Sequence, residues 1–219
     1  MIDDCSVHLA RKRAGAILAQ AHPVEADVVI GAPDSGLDAA IGYAEESGIP
    51  YGIGLIKNKY IGRTFIAPGQ DVREDKVKIK LNPISSTVKD KTVVLVDDSI
   101  VRGTQLKETV EFLYANGAKS VHMRSACPPV MYNCKFLNFS RSNDEMELIA
   151  RRTIMELEGE EGFNHLEEYS DGTTKRGKRL RKAICDQLGF TTLDFQSLEG
   201  TIEAIGIDRC KLCTYCWNG

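Results

Sequence analysis

The sequence lacks a surplus of positive charge and lacks any long hydrophobic run. Its 28 Lys and Arg against 31 Asp and Glu leave a formal net charge of −3. General nucleic-acid binders normally carry a basic surplus, so that class is not expected. No apolar run approaches the roughly 20 residues of a membrane-spanning helix, and residues 1–20 are charged and helical in pattern rather than signal-like. We therefore expect neither a nucleic acid nor a membrane as partner.

The sequence also lacks the cysteine pattern of a secreted protein and any internal repeat. Seven cysteines are an odd number, and their spacing is not that of a small disulfide-linked domain. We expect reduced thiols and a cytoplasmic location. With 219 residues and 42% hydrophobic residues, the chain can bury one substantial core. The prediction is a single domain over residues 1–219, with a core at about 5–130 and a C-terminal extension at about 140–219.

Hydrophobic periodicity predicts an α/β fold in the first part of the chain. Helices are expected at 6–20, 36–47 and from Thr104 to about Gly117, and strands at 28–30, 51–55, 93–96 and 121–125. Strands that alternate with helices predict a parallel sheet flanked by helices, with ligands at the carboxyl ends of the strands. From Lys57 to about Asp90 periodicity is weak, which is typical of a functional lid or of disorder.

Residues 143–219 are mostly helical and polar in pattern, with one further strand expected at 191–195. An acidic stretch between Glu156 and Glu168 precedes a basic stretch between Lys175 and Lys182. The basic stretch can be interpreted as an anion site, but a solvated helix face balanced by the acidic stretch is favoured.

Residues 93–105 are the most informative segment. A buried strand is expected to end at the adjacent carboxylates Asp97 and Asp98, and a short turn containing Gly103 then opens a helix. A strand, a glycine-containing turn and a helix N-terminus together form a phosphate cradle, because free backbone N–H groups point at the anion. Two carboxylates beside it suit a polyhydroxylated sugar and hydrated Mg²⁺. The alternative is an ordinary α/β turn with an incidental acidic pair.

This segment resembles the 5-phosphoribosyl-1-diphosphate (PRPP) motif of the type I phosphoribosyltransferases. The chain around it resembles the iron–sulfur branch of the amidophosphoribosyltransferase family. The resemblance implies a type I phosphoribosyltransferase fold with a Cys-bearing, mostly helical C-terminal extension. It also implies a glycosyltransferase that converts PRPP and ammonia to 5-phosphoribosylamine and diphosphate in purine synthesis. Asp97 and Asp98 would hold the ribose hydroxyls, and the PRPP-binding residues would include Ser99, Ile100, Val101, Arg102, Gly103 and Thr104.

The resemblance also implies roles for two further loops. Residues 32–36 follow the first predicted strand and would hold the diphosphate, with Ser35 joining Asp97 and Asp98 around Mg²⁺. Residues 57–65 form a basic turn by sequence alone, but resemble the loop that closes over PRPP and excludes water. Lys59 and Arg63 would then act on the departing diphosphate as catalytic residues.

The C-terminus carries three cysteines in two overlapping Cys-x-x-Cys steps, which indicate metal or cluster ligation. A redox dithiol and three buried cysteines are the alternatives. The resemblance implies that Cys134, Cys213 and Cys216 hold a [4Fe–4S] cluster, whose fourth ligand would lie upstream of Met1. Cys210 could substitute, on spacing alone.

The chain departs from the family at its start, because family members begin with a glutaminase domain. We therefore expect no glutamine hydrolysis, with ammonia free or supplied by a separate glutaminase chain, and we expect a homo-oligomer. A fragment, a split-gene subunit and a truncated gene model all fit this departure. Two other functions remain open: a PRPP-binding regulatory module without turnover, and a salvage enzyme that acts on a nucleobase.

Overall fold

The structure is a computed structural model that describes residues 1–57, 81–136 and 144–219. Its helices are α1 (Val7–Ala21), α2 (Leu37–Ser47), α3 (Ser85–Val88), α4 (Thr104–Ala115), α5 (Ile149–Glu158), α6 (Leu166–Ser170), α7 (Lys175–Leu188), α8 (Leu198–Ile205) and α9 (Tyr215–Asn218). Its strands are β1 (Val28–Gly31), β2 (Leu55–Lys57), β3 (Leu81–Pro83), β4 (Thr92–Asp97), β5 (Ser120–Ser125) and β6 (Thr192–Phe195). Short 3₁₀ turns cover Glu145–Glu147, Gly159–His165 and Arg209–Lys211.

The central sheet has four parallel strands in the order β1-β4-β5-β6. Residues 93–96 of β4 are fully buried, as expected for an aliphatic strand covered on both faces. The register aligns Gly31 with Val96 and Asp97 with Ser125, so the carboxyl ends of neighbouring strands meet at one edge. The predicted parallel sheet flanked by helices is confirmed.

The strand predicted at 51–55 is wrong in extent. Tyr51 makes only an isolated bridge to Val29, and the strand itself begins at Leu55, where β2 pairs with β3 in a separate antiparallel sheet. The connecting chain lies close against β1, since a Cβ on Gly54 would stand 2.6 Å from the Ile30 side chain. Glycine permits this close approach but gives no side chain for strand packing.

Helices α1 and α2 cross with their backbones in direct contact. A Cβ on Gly15 would stand 1.9 Å from the Ala39 carbonyl oxygen, and a Cβ on Gly42 would stand 1.9 Å from the Lys12 carbonyl oxygen. Only glycine fits at both points. The helix pair therefore packs as a rigid layer over one face of β1 and β4, against Val29 and Val94.

The C-terminal extension is part of the same core rather than a separate layer. Its strand β6 adds the fourth strand to the sheet, and the apolar residues of α5 and α7 pack in one cluster with β1 and β4. The basic stretch of α7 contacts the acidic stretch, with Arg176 paired to Glu158 and Glu168. This pairing confirms the balanced helix face. Within the described ranges, no helix is long and apolar enough to cross a membrane.

Candidate functional site

The acidic pair lies at the carboxyl end of β4, where the sequence places it. The backbone N–H of Asp98 donates to Asp97 Oδ1 at 2.8 Å, and the Ser99 hydroxyl lies 3.4 Å from Asp98 Oδ1. Desolvation, followed by the neighbouring Asp98 carboxylate, raises the pKa of Asp97 to about 8. This edge of the sheet thus holds a carboxyl group whose charged form is poorly solvated, and such perturbed groups cluster at functional sites.

The loop at residues 32–36 is held directly against this acidic pair. The Ala32 N–H donates to the Val96 carbonyl at 2.8 Å, and the peptide between Pro33 and Asp34 is cis. A Cβ on Gly36 would stand 2.6 Å from the Val96 carbonyl oxygen and 2.9 Å from the Asp97 Cα. The glycine therefore allows the loop that carries Ser35 to approach the end of β4, and the structure brings these two predicted parts of the site together.

The glycine of the third predicted part, Gly103, adopts a left-handed conformation with φ of 79° as the N-cap of α4. No side chain caps this helix, so its first backbone N–H groups remain available to an anion. A Cβ at Gly103 would stand 2.6 Å from Ile149 Cδ1 and 3.0 Å from Leu188 Cδ2. The glycine is thus required by packing against α5 and α7, a reason that the sequence does not reveal.

The loop between β4 and α4 is tied to the 145–152 segment by its carbonyl groups. The Val101 carbonyl accepts from the Ile149 N–H at 2.8 Å, and the Arg102 carbonyl accepts from Arg152 Nη2 at 2.8 Å. The Arg102 side chain pairs with Glu147, while its Nε is buried with no partner among the described residues. Within the same described part of the chain, no backbone N–H of residues 99–103 donates to a protein acceptor.

The loop at residues 32–36 also contacts the start of the long connection after β2. Lys57 Nζ lies 2.6 Å from Asp34 Oδ2. This ion pair places the end of β2 beside the loop that carries Ser35. Lys59 and Arg63, predicted to act on the leaving diphosphate, lie outside the described residues.

The C-terminal cysteines lie against the segment that carries Cys134. The Cys216 carbonyl accepts backbone hydrogen bonds from Met131 at 2.8 Å and Tyr132 at 3.1 Å, and the rings of Tyr132 and Tyr215 are 5.4 Å apart. Burial, then the neighbouring Cys134, and last Cys213, raise the pKa of Cys216 to about 11. The structure therefore brings Cys134 and Cys213 close enough to Cys216 to act on its pKa, and both Cys210 and Cys213 are exposed.

The side chains beside these cysteines include a buried amide, and the described residues form no cage for a single metal ion. Both amide atoms of Asn133 are buried without a partner among the described residues, beside Cys134. Across those residues, no three His, Cys, Asp or Glu side chains are grouped to hold one metal ion. Thiolates are the usual protein ligands of iron–sulfur clusters, so a cluster at these cysteines stays a prediction.

Sequence reasoning missed three residues near the site. Cys127 lies between the acidic pair and the C-terminal thiols: burial, then Asp98, then Cys216, raise its pKa to about 12. Glu147 and Arg152 contact Arg102, in the loop before α4, from 45 and 50 positions along the chain. Local patterns carry no signal for any of them, since each is close to the site only through the fold.

Comparison with known proteins identifies the domain. The family model described as "Phosphoribosyl transferase domain" matches residues 6–128. The amidophosphoribosyltransferase of Methanocaldococcus jannaschii is 42% identical over 218 residues, which are 100% of this chain and 40% of that protein. The amidophosphoribosyltransferase of Bacillus subtilis is 42% identical over 222 residues, covering 100% of this chain and 41% of that protein.

Solved structures give the same result. The chain superposes with a TM-score of 0.77 and 42% identity on a structure described as the allosteric regulatory enzyme of purine biosynthesis, covering 99% of this chain and 42% of that one. The glutamine PRPP amidotransferase of B. subtilis, complexed with ADP and GMP, gives a TM-score of 0.75 at the same identity and coverage. The chain thus spans about 40% of the length of the curated relatives it matches. It has the type I phosphoribosyltransferase fold and is similar over its whole length to amidophosphoribosyltransferases. The chain belongs to the phosphoribosyl transferase domain family.

Proposed function

We propose that this chain carries out the phosphoribosyl-transfer half of an amidophosphoribosyltransferase reaction. Ammonia would displace diphosphate from C1 of PRPP and give 5-phosphoribosylamine, the first committed step of purine synthesis. The main observation in support is the close contact between Gly36 and the end of β4, which places the loop that carries Ser35 beside Asp97. Sequence similarity over the whole chain to amidophosphoribosyltransferases supports the choice of reaction.

Each end of PRPP would meet a different part of this edge. The 5′-phosphate would accept from the open N–H groups of residues 99–104, where the positive end of the α4 dipole also favours an anion. The ribose hydroxyls would donate to Asp97 and Asp98, and the diphosphate would lie along the loop that carries Ser35. Fixing the sugar at both ends orients C1 toward the incoming ammonia.

Ser35, Asp97 and Asp98 would hold Mg²⁺, which supplies charge neutralisation for the leaving diphosphate when bound. A hydroxyl and two carboxylates are hard oxygen donors. Burial raises the pKa of Asp97 and so disfavours its ionised form, which an adjacent cation would favour. Substrate oxygens and water would complete the coordination. Lys59 and Arg63 would add positive charge toward the departing diphosphate.

Ammonia is a neutral nucleophile, so this half of the reaction needs no general base for attack. Catalysis would rest on positioning and electrostatic stabilisation. The ammonia would be free or delivered by a separate glutaminase chain, and the protein would act as a homo-oligomer. We place it in the cytoplasm, consistent with seven cysteines that all lie in the described ranges and form no disulfide.

Cys134, Cys213 and Cys216 would hold a [4Fe–4S] cluster, which would serve as a structural staple when bound. The amide of Asn133, buried and without a partner among the described residues, supports a bound group at this place. The cluster would fix the C-terminal tail to the 131–135 segment, next to the loop that follows β5. Cys210 is exposed, as Cys213 is, and is not assigned as the fourth ligand.

The test is diphosphate release from PRPP by the purified chain with Mg²⁺ and ammonium salt. We expect release that depends on both, that is lost in Asp98→Asn, and that is retained in Asp186→Asn. The control removes an exposed carboxylate that pairs with Lys182 on α7. PRPP binding without turnover would favour the regulatory module, and release that requires a nucleobase would favour the salvage enzyme.

A further inference from the structure

We propose that Arg152 is a positioning residue that aims the backbone N–H groups of Arg102 and Gly103 at the ligand's 5′-phosphate. The inference rests on the proposed function and assigns a role to a side chain outside the PRPP motif. Arg152 lies on α5, in the C-terminal extension, 50 positions from the loop that it contacts.

A trans peptide points its C=O and the following N–H in opposite directions. The Val101 carbonyl points to the N-terminus of α5, where the Ile149 N–H donates to it at 2.8 Å. The N–H of Arg102 in the same peptide must therefore point away from α5. The Arg102 carbonyl is held in the same way by Arg152 Nη2 at 2.8 Å, so the N–H of Gly103 also points away.

The contacts of Arg152 suit this role. Its other terminal nitrogen, Nη1, donates to the Glu147 carbonyl at 2.7 Å and to the Met146 carbonyl at 3.4 Å. Within the described residues it pairs with no carboxylate, so its donors serve backbone carbonyls alone. The planar guanidinium thus bridges two backbone segments with a fixed geometry that a single ammonium group cannot reproduce.

The other contacts of the loop between β4 and α4 do not fix the direction of the peptide between Arg102 and Gly103. Arg102 pairs through its side chain with Glu147, and Gly103 packs against Ile149. Neither contact determines where the Arg102 carbonyl points. Without Arg152, the peptide between Arg102 and Gly103 is free to rotate, and an aimed N–H donor is lost from the cradle.

The experiment measures binding of two probes by calorimetry: ribose 5-phosphate, which has only the 5′-phosphate, and Mg²⁺ with diphosphate. In Arg152→Gln we expect ribose 5-phosphate affinity to fall about tenfold, equivalent to about 1.4 kcal/mol. Diphosphate affinity should stay within about twofold, because residues 32–36 are anchored to β4 and not to α5. Arg152→Lys should restore part of the loss, and Arg179→Gln, an exposed arginine paired with Glu158, should match the parent.

A second measurement needs no variant. In the parent protein, the amide protons of Arg102 and Gly103 should shift downfield in NMR spectra when ribose 5-phosphate is added. Equal ribose 5-phosphate affinity in Arg152→Gln and the parent would overturn the role of Arg152, as would an equal loss of both probes or unmoved amides in a parent that binds. A parent that binds neither probe nor PRPP would instead refute the proposed function itself.

Discussion

Replacing Asp97 by Asn should stabilise the ligand-free protein while abolishing its proposed activity. The carboxyl group of Asp97 has a pKa raised from an ordinary value of 3.8 to about 8, chiefly by desolvation. The native state therefore binds this proton more tightly than the unfolded chain does. Stability is present at low pH and is lost as pH rises from about 4 towards about 8, at up to about 1.4 kcal/mol per pH unit.

An amide has the same shape as the neutral acid and does not titrate. The Asn side-chain oxygen can still accept from the Asp98 N–H, which donates to Asp97 at 2.8 Å in the parent. The stabilisation by Asp97→Asn should therefore grow by about 2 kcal/mol between pH 5.5 and pH 7.0, the upper limit for about 1.5 pH units. At about 2–4 °C per kcal/mol for a chain of this size, the melting temperature should follow by several degrees.

Urea denaturation at both pH values, with a chelator present, measures this difference directly. Asp98→Asn supplies the internal control, because removing its charge removes the second cause of the shift. The gain from Asp97→Asn should then be smaller in the Asp98→Asn background. A gain that does not depend on pH, or a variant less stable than the parent at pH 7.0, would show that Asp97 is not a desolvated carboxyl group with a raised pKa.

Three other predictions concern close contacts and the thiols. Gly36→Ala should weaken binding of Mg²⁺ with diphosphate by about tenfold, because its Cβ would meet backbone atoms 2.6–2.9 Å away; unchanged binding by calorimetry would contradict the loop contact. Gly42→Ala should lower the free energy of unfolding by about 1–3 kcal/mol, because its Cβ would stand 1.9 Å from the Lys12 carbonyl oxygen. An unchanged free energy in urea denaturation would refute the close crossing of α1 and α2. After anaerobic reconstitution, metal analysis should show that Cys213→Ser loses bound iron whereas Cys210→Ser does not. Equal losses in the two variants would indicate that Cys210 is also a ligand.

The sequence alone determined the elements around the site. The aliphatic run at 93–96 predicts a buried strand, and the spacing of apolar residues after Thr104 predicts α4. The sequence also places Asp97 and Asp98 at the end of that strand. These features can be predicted because apolar residues recur about every two residues in a strand and every 3.6 residues in a helix. Each pattern lies within one segment of the chain. The strand predicted at 51–55 is wrong in extent because Gly52 and Gly54 lie close against β1, a contact that no local pattern reveals.

Tertiary structure decided which of these parts meet. The contact of Gly36 with the end of β4 depends on the parallel register of β1 and β4, and the addition of β6 to the sheet depends on a crossover through α7. Arg152 reaches the loop before α4 only because α5 packs on Gly103 through Ile149. Such contacts join residues far apart in the chain, and their free energy comes from packing and hydrogen bonds that form only once the core is assembled. The sequence therefore determined the chemical groups of the site, and the fold determined their distances and directions.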